Sequence, residues 1–105
     1  MVMINNSGTN LTVVTDRKAK VLPPATAVEV FWPTDSRLFI SKPGGASFRY
    51  DTYPPPRRWL NGHRVFVQVE ADLSIFVVPS NTVKALPTLP KQPAHFPWLP
   101  QSTGP

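Results

Sequence analysis

The chain has 105 residues, with 11 Lys and Arg against 6 Asp and Glu for a formal net charge of +5, and it contains no cysteine. That length supports one domain with a modest core, and the missing thiols exclude thiolate nucleophiles, cysteine-held zinc, iron–sulfur clusters and disulfide staples. Fourteen prolines against five glycines argue against long helices over most of the chain, because proline deletes a backbone donor and locks φ.

Met1 to Ile4 alternates as a short strand, and Asn5-Asn6-Ser7-Gly8 supplies turn chemistry before a second strand over Asn10 to Thr15. Leu11 and Val13 lie on one face of that strand, and Asp16-Arg17-Lys18 ends it. A third short segment stops at Val21-Leu22-Pro23-Pro24, since consecutive prolines cannot continue a ladder. Val28 to Trp32, Arg37 to Ser41 and Ser47 to Tyr53 follow, each closed by proline or glycine. In the last of these Phe48, Tyr50 and Thr52 face one way, and Arg49, Asp51 and Tyr53 the other.

The strongest pattern is His63 to Pro79. Val65, Val67 and Val69 alternate with Phe66, Gln68 and Glu70, and Leu73, Ile75 and Val77 with Ser74, Phe76 and Val78. Two runs of period two read as an antiparallel hairpin with one buried face, joined by a turn wider than an Asn-Gly pair would fix or by one of ambiguous register. Turn signals recurring every eight to twelve residues predict an all-β fold, a single antiparallel β-sandwich or small barrel of about seven strands. Residues 1–79 form that domain, with an expected core of Ile4, Leu11, Val13, Val28, Val30, Leu38, Ile40, Phe48, Val65, Val67, Leu73, Ile75 and Val77.

Residues 80–105 read as an extended proline-rich C-terminal arm. Prolines at 87, 90, 93, 97, 100 and 105 exclude a helix and favour polyproline II or irregular extended chain. Leu86, Leu89, Phe96, Trp98 and Leu99 make the arm more apolar than a disordered linker, so it should lie on a surface. One expectation is a partner subunit: Leu86, Pro87, Leu89, Pro90 and Pro93 form a polyproline docking pattern, and Phe96, Trp98 and Leu99 are anchors. A typical SH3 ligand would carry its cation where Gln92 stands. The other expectation is that the arm packs back on its own sheet, covering an edge strand and adding Phe96 and Trp98 to the core.

Chemical motifs are sparse. His63, Asp51 or Asp72 and a serine can be assembled into a triad on paper, but no Gly-x-Ser-x-Gly turn positions a nucleophile. The two histidines and scattered carboxylates offer no metal-ligand spacing, and Gly44-Gly45 precedes a strand, unlike a phosphate loop. Neither a cofactor nor a catalytic residue is expected. Sequons at Asn5 and Asn10 read as accidental, because no secretion signal precedes them. No apolar run approaches a membrane span, so the expectation is a chain without membrane contact, cytoplasmic or virion-associated. Pro43-Gly44, Thr52-Tyr53, Trp59 and Phe76-Val77-Val78-Pro79-Ser80 resemble the β domain of the von Hippel–Lindau tumour suppressor, without the helical adaptor-binding box after the strands. The resemblance implies a β-sandwich.

Function therefore reads as a non-catalytic structural or binding module that docks on protein subunits of a larger assembly, or on itself, in the manner of a small virion or decoration subunit. The alternative is a single-stranded nucleic-acid-binding domain, because Arg49, Tyr53, Arg57, Arg58, Trp59 and Arg64 interleave cations for phosphates with rings for bases.

Overall fold

The structure, a computed structural model, describes residues 1–60, 62, 64–79, 82 and 84–103. Their nine strands are β1 (Val2–Asn5), β2 (Leu11–Thr15), β3 (Lys18–Leu22), β4 (Ala27–Glu29), β5 (Arg37–Ser41), β6 (Ser47–Asp51), β7 (Phe66–Val69), β8 (Ile75–Val77) and β9 (Gln101–Ser102). They form a β-sandwich of two sheets, ordered β4-β1-β7-β8 and β3-β2-β5-β6-β9. Alternation builds the facing surfaces. Leu11 and Val13 of β2, Leu38 and Ile40 of β5, and Tyr50 of β6 meet Met3, Val67, Val69, Ile75 and Val77 from the other sheet in one buried cluster. Val28 and Phe48 pack against it half-buried.

The expected hairpin forms, with Val67 opposite Val77 and Val69 opposite Ile75. Its turn closes with the Glu70 amide donating to Ser74 O at 3.0 Å and the Leu73 amide donating to Glu70 O at 2.8 Å. Leu73 takes φ 66°, where glycine is usual in three-residue hairpin loops. A left-handed conformation costs a side-chain-bearing residue about 1–2 kcal/mol, while burying a leucine contributes about 1.5–3 kcal/mol. Burial therefore offsets the strain, and Leu73 is only 2% exposed. Its carbonyl accepts the Tyr50 hydroxyl at 2.7 Å, joining the turn to the opposite sheet.

Three features go beyond or against the sequence expectations. β1 and β2 belong to different sheets, so the turn read at Asn5–Gly8 carries the chain from one sheet to the other. Asn5 is the buried strut of that crossing: its Nδ2 donates to Thr9 O and Leu22 O, both at 2.8 Å, and its Oδ1 accepts from the Ser7 amide at 2.9 Å. β1 also pairs with β7 in parallel, within sheets whose other pairings are antiparallel. Finally, β1 and β7 are buried on both faces. Met3 lies in the main cluster, while Ile4 joins Phe66 and Val78 in a second one covered by Ala85, Leu86 and Leu89.

That cover is the proline-rich segment. It cannot supply a regular ladder, so side-chain amides take the place of strand partners. Gln68, fully buried in β7, accepts from the Leu86 amide at 2.8 Å and donates to Leu86 O at 3.1 Å. Gln92 does the same at the β8 edge, accepting from the Val77 amide at 2.8 Å and donating to Val77 O at 3.0 Å. Trp98 then exchanges both backbone hydrogen bonds with Ile75, and β9 pairs with β6 in the other sheet. The segment thus runs over one outer face, around the β8 edge and onto the second sheet. Of the two expectations for it, packing on the chain's own sheets is the arrangement seen.

Trp98 anchors this path at 2% exposure. Its ring meets Trp32 edge-on at 5.8 Å and stacks with Phe96 at 5.0 Å. Burying about 200 Å² of tryptophan at about 25 cal/mol per Å² contributes roughly 5 kcal/mol. The buried indole N–H finds no partner among the described residues, and such a group costs about 1–3 kcal/mol. The apolar gain wins.

Two outcomes follow. Gln68→Ala strips both Leu86 backbone groups of their partners, and denaturant unfolding should show a loss of about 2–4 kcal/mol, with faster tryptic cleavage at Lys84 and Lys91. Tyr50 is raised well above the usual phenol range by burial, reinforced by Asp72. The unfolded phenol ionises near pH 10 while the folded one stays neutral, so this group's contribution is full below about pH 10 and is lost as pH rises further. Tyr50→Phe should cost about 1–2 kcal/mol at neutral pH and flatten the alkaline part of the stability curve.

Candidate functional site

The strapped side of the sandwich has a counterpart that is open. β2 and β3 form a hairpin with a two-residue turn, pairing Thr15 with Lys18, Val13 with Lys20 and Leu11 with Leu22. Asp16 and Arg17 have φ 50° and 65°, the two positive values of a type I′ turn that matches strand twist. Asp16 also holds the hairpin tip, accepting from the Thr34 amide at 2.9 Å and the Thr34 hydroxyl at 3.0 Å.

The register puts Lys18 and Lys20 on the same face as Val13 and Leu11, the face turned toward the core. They sit at its margin. Lys20 Nζ reaches across to donate to Glu29 O of β4, and Lys18 Nζ lies 4.6 Å from the centre of the Phe31 ring, a cation–π contact worth about 0.5–1 kcal/mol where exposed. The two lysines therefore bridge the sheet edges, their stems against apolar side chains and their charges in water. Between them opens a groove of about 380 Å³ lined by Val13, Thr15, Ala19, Val30 and Phe31 together with the lysines. Phe31 at 58% exposure stands on its rim, and Val21 at 64% lies on the outer face of β3.

The arm residues expected to meet a partner are mostly engaged within the chain. Leu86 and Leu89 cover Ile4, Phe66 and Val78, Pro90 and Pro93 are half-buried, and Pro87 is exposed. Phe96 packs against the main core, Trp98 belongs to it, and Leu99 stays 61% exposed. The cation and ring set is dispersed. Arg49 donates to Gln101 at 2.6 Å, Arg64 pairs with Glu29 at 2.9 Å, and Trp59 packs against the core. Arg57 and Arg58 are exposed on a 3-10 turn (Arg57–Trp59), and Tyr53 stacks on His95 at 4.3 Å. His63 lies outside the described residues. Asp51 accepts from Gln101 at 3.2 Å and Asp72 from the Ser74 amide at 2.9 Å. Among the described residues no three His, Cys, Asp or Glu side chains converge as metal ligands, and no helix is long and apolar enough to cross a membrane.

No family model, curated protein or solved structure matches this chain. The von Hippel–Lindau resemblance accordingly gains no support. The open side was missed in sequence because Lys18 and Lys20 read as scattered surface charge. A two-residue turn at Asp16-Arg17, carried into the register of β3, is the signal that would have turned them inward.

The same turn yields an expected outcome. Arg17 carries a side chain at a left-handed position that glycine occupies without steric cost, so Arg17→Gly should raise stability by about 1 kcal/mol, read as a higher denaturant midpoint at unchanged slope.

Proposed function

We propose that this protein is a non-catalytic binding module, a subunit that docks on a partner protein within a larger assembly, and that its open β3–β4 side faces the partner. The observation that carries this reading is the contrast between the two sides of the sandwich. One side is closed by Gln92, Trp98 and β9; the other presents an unpaired strand edge, an apolar groove and two exposed large side chains, Val21 and Phe31. An exposed apolar groove flanked by charge is a usual mark of a protein-binding face. Docking by a detached arm would have to give up the Trp98 burial and both glutamine clamps. A site on the open side needs no such release.

The test is site-directed photo-crosslinking in extract of the source cells, with the probe placed at Val21, Phe31 or Pro87. Discrete adducts from Val21 and Phe31, absent from Pro87, are the expected result. Adducts from Pro87 alone would move the interface to the arm, and none from any position would remove the binding reading.

A further inference from the structure

We propose that the free edge of β3 takes up an extended, acidic segment of a partner chain as an added strand of the five-stranded sheet. This rests on the binding-module reading and names the partner's chemistry.

The four sheet edges are treated differently. β8 is covered by Gln92 and by the Trp98 bridge, and the edge beyond β6 is β9, only two residues long. On β4 the Glu29 carbonyl is occupied by Lys20 Nζ. β3 is the longest of the four edge strands at five residues, and among the described residues its only strand partner is β2. In a two-residue hairpin the closing pair exchanges both hydrogen bonds and the pattern then alternates, so Lys18, Lys20 and Leu22 bond to β2. The N–H and C=O groups of Ala19 and Val21 point to the open side. An incoming strand would pair with those four groups. Its side chains would alternate between the outer face, beside Val21, and the groove floored by Val13 and Val30.

Charge selects the occupant. From Arg17 to Val28 the chain carries three cations and no acidic residue. Inward-pointing lysines on an edge strand discourage uncontrolled pairing, and antiparallel pairing of β3 with a second copy would bring lysines against lysines, which is unfavourable. A strand bearing Glu or Asp at the groove-facing positions meets Lys18 and Lys20 with opposite charge. Apolar residues at its ends would reach Phe31 and Val21. The net charge of +5 adds long-range attraction for such a segment.

The experiment uses fluorescent octapeptides with the full chain at low salt: one alternating Val and Glu, one with Lys for each Glu, and an oligothymidylate as the nucleic-acid probe. The Val/Glu peptide should bind, at least tenfold more tightly than the Val/Lys peptide, with an affinity that falls as salt rises. Its binding should shift the Ala19 and Val21 amide resonances. N-methylation of its alternate amides should remove binding to the unaltered protein, and so should Val21→Pro, which an edge strand tolerates where the N–H faces solvent. No binding, equal binding of both peptides, or insensitivity to N-methylation would overturn strand addition. Tighter binding of the oligothymidylate, unaffected by Val21→Pro, would replace it with nucleic-acid recognition. If Val21 and Phe31 crosslink a protein while the peptide tests fail, the binding module stands and strand addition alone falls.

Discussion

Two glutamines, Gln68 fully buried and Gln92 half-buried, hold this molecule together in a way that its proline content makes necessary. A segment with prolines at 87, 90, 93, 97 and 100 cannot pair regularly with a sheet, yet the outer face of β1 and β7 carries Ile4 and Phe66 and needs a cover. Gln68 and Gln92 resolve the conflict by offering one carbonyl and one N–H each to a backbone residue, reproducing locally what a neighbouring strand would give. With the amides satisfied, Leu86, Leu89 and Trp98 can be buried. Without those contacts the four-stranded sheet would keep an apolar outer face and an open β8 edge, and a sandwich of this size has little stability to spare.

The strap makes the two sides of the sandwich unequal. On the β8 and β6 side, backbone groups are taken up by Gln92, Trp98 and β9. On the β3 and β4 side they are guarded by two lysines whose stems complete the core margin and whose charges stay hydrated. Guarding by charge is selective in a way that covering is not, since it repels a like-charged edge and leaves room for an opposite one. The proposed docking function rests on that difference.

Period-two alternation was enough to read β5, β6, the existence of the β7–β8 hairpin and most of the core, because the core-facing residues alternate in those strands. It was insufficient for the outer faces of β1 and β7, which are buried as well. Gln68 looked like a solvent-facing residue for this reason, and Met3 was overlooked beside Ile4, although both are fully buried. Asn5 read as turn chemistry because its buried hydrogen bond reaches Leu22, a partner that only the tertiary fold brings near. The arm was legible as extended and sticky, but its target was not. Apolar residues at proline spacing suit a partner's groove and the chain's own sheet equally well, and the deciding contacts come from Gln68, Val77 and Ile75, residues distant in sequence. The open side was illegible for a related reason: lysines on an edge strand point inward only once the turn type sets the register.

Amide hydrogen exchange on the intact protein tests the central claim, that one side of the sandwich is strapped and the other left open. The amides of Val77, Leu86 and Trp98 should be protected to a degree approaching Val67 in the centre of its sheet, while Ala19 and Val21 exchange much faster. Unprotected Leu86 and Trp98 amides, or Ala19 and Val21 amides as slow as Val67, would contradict it.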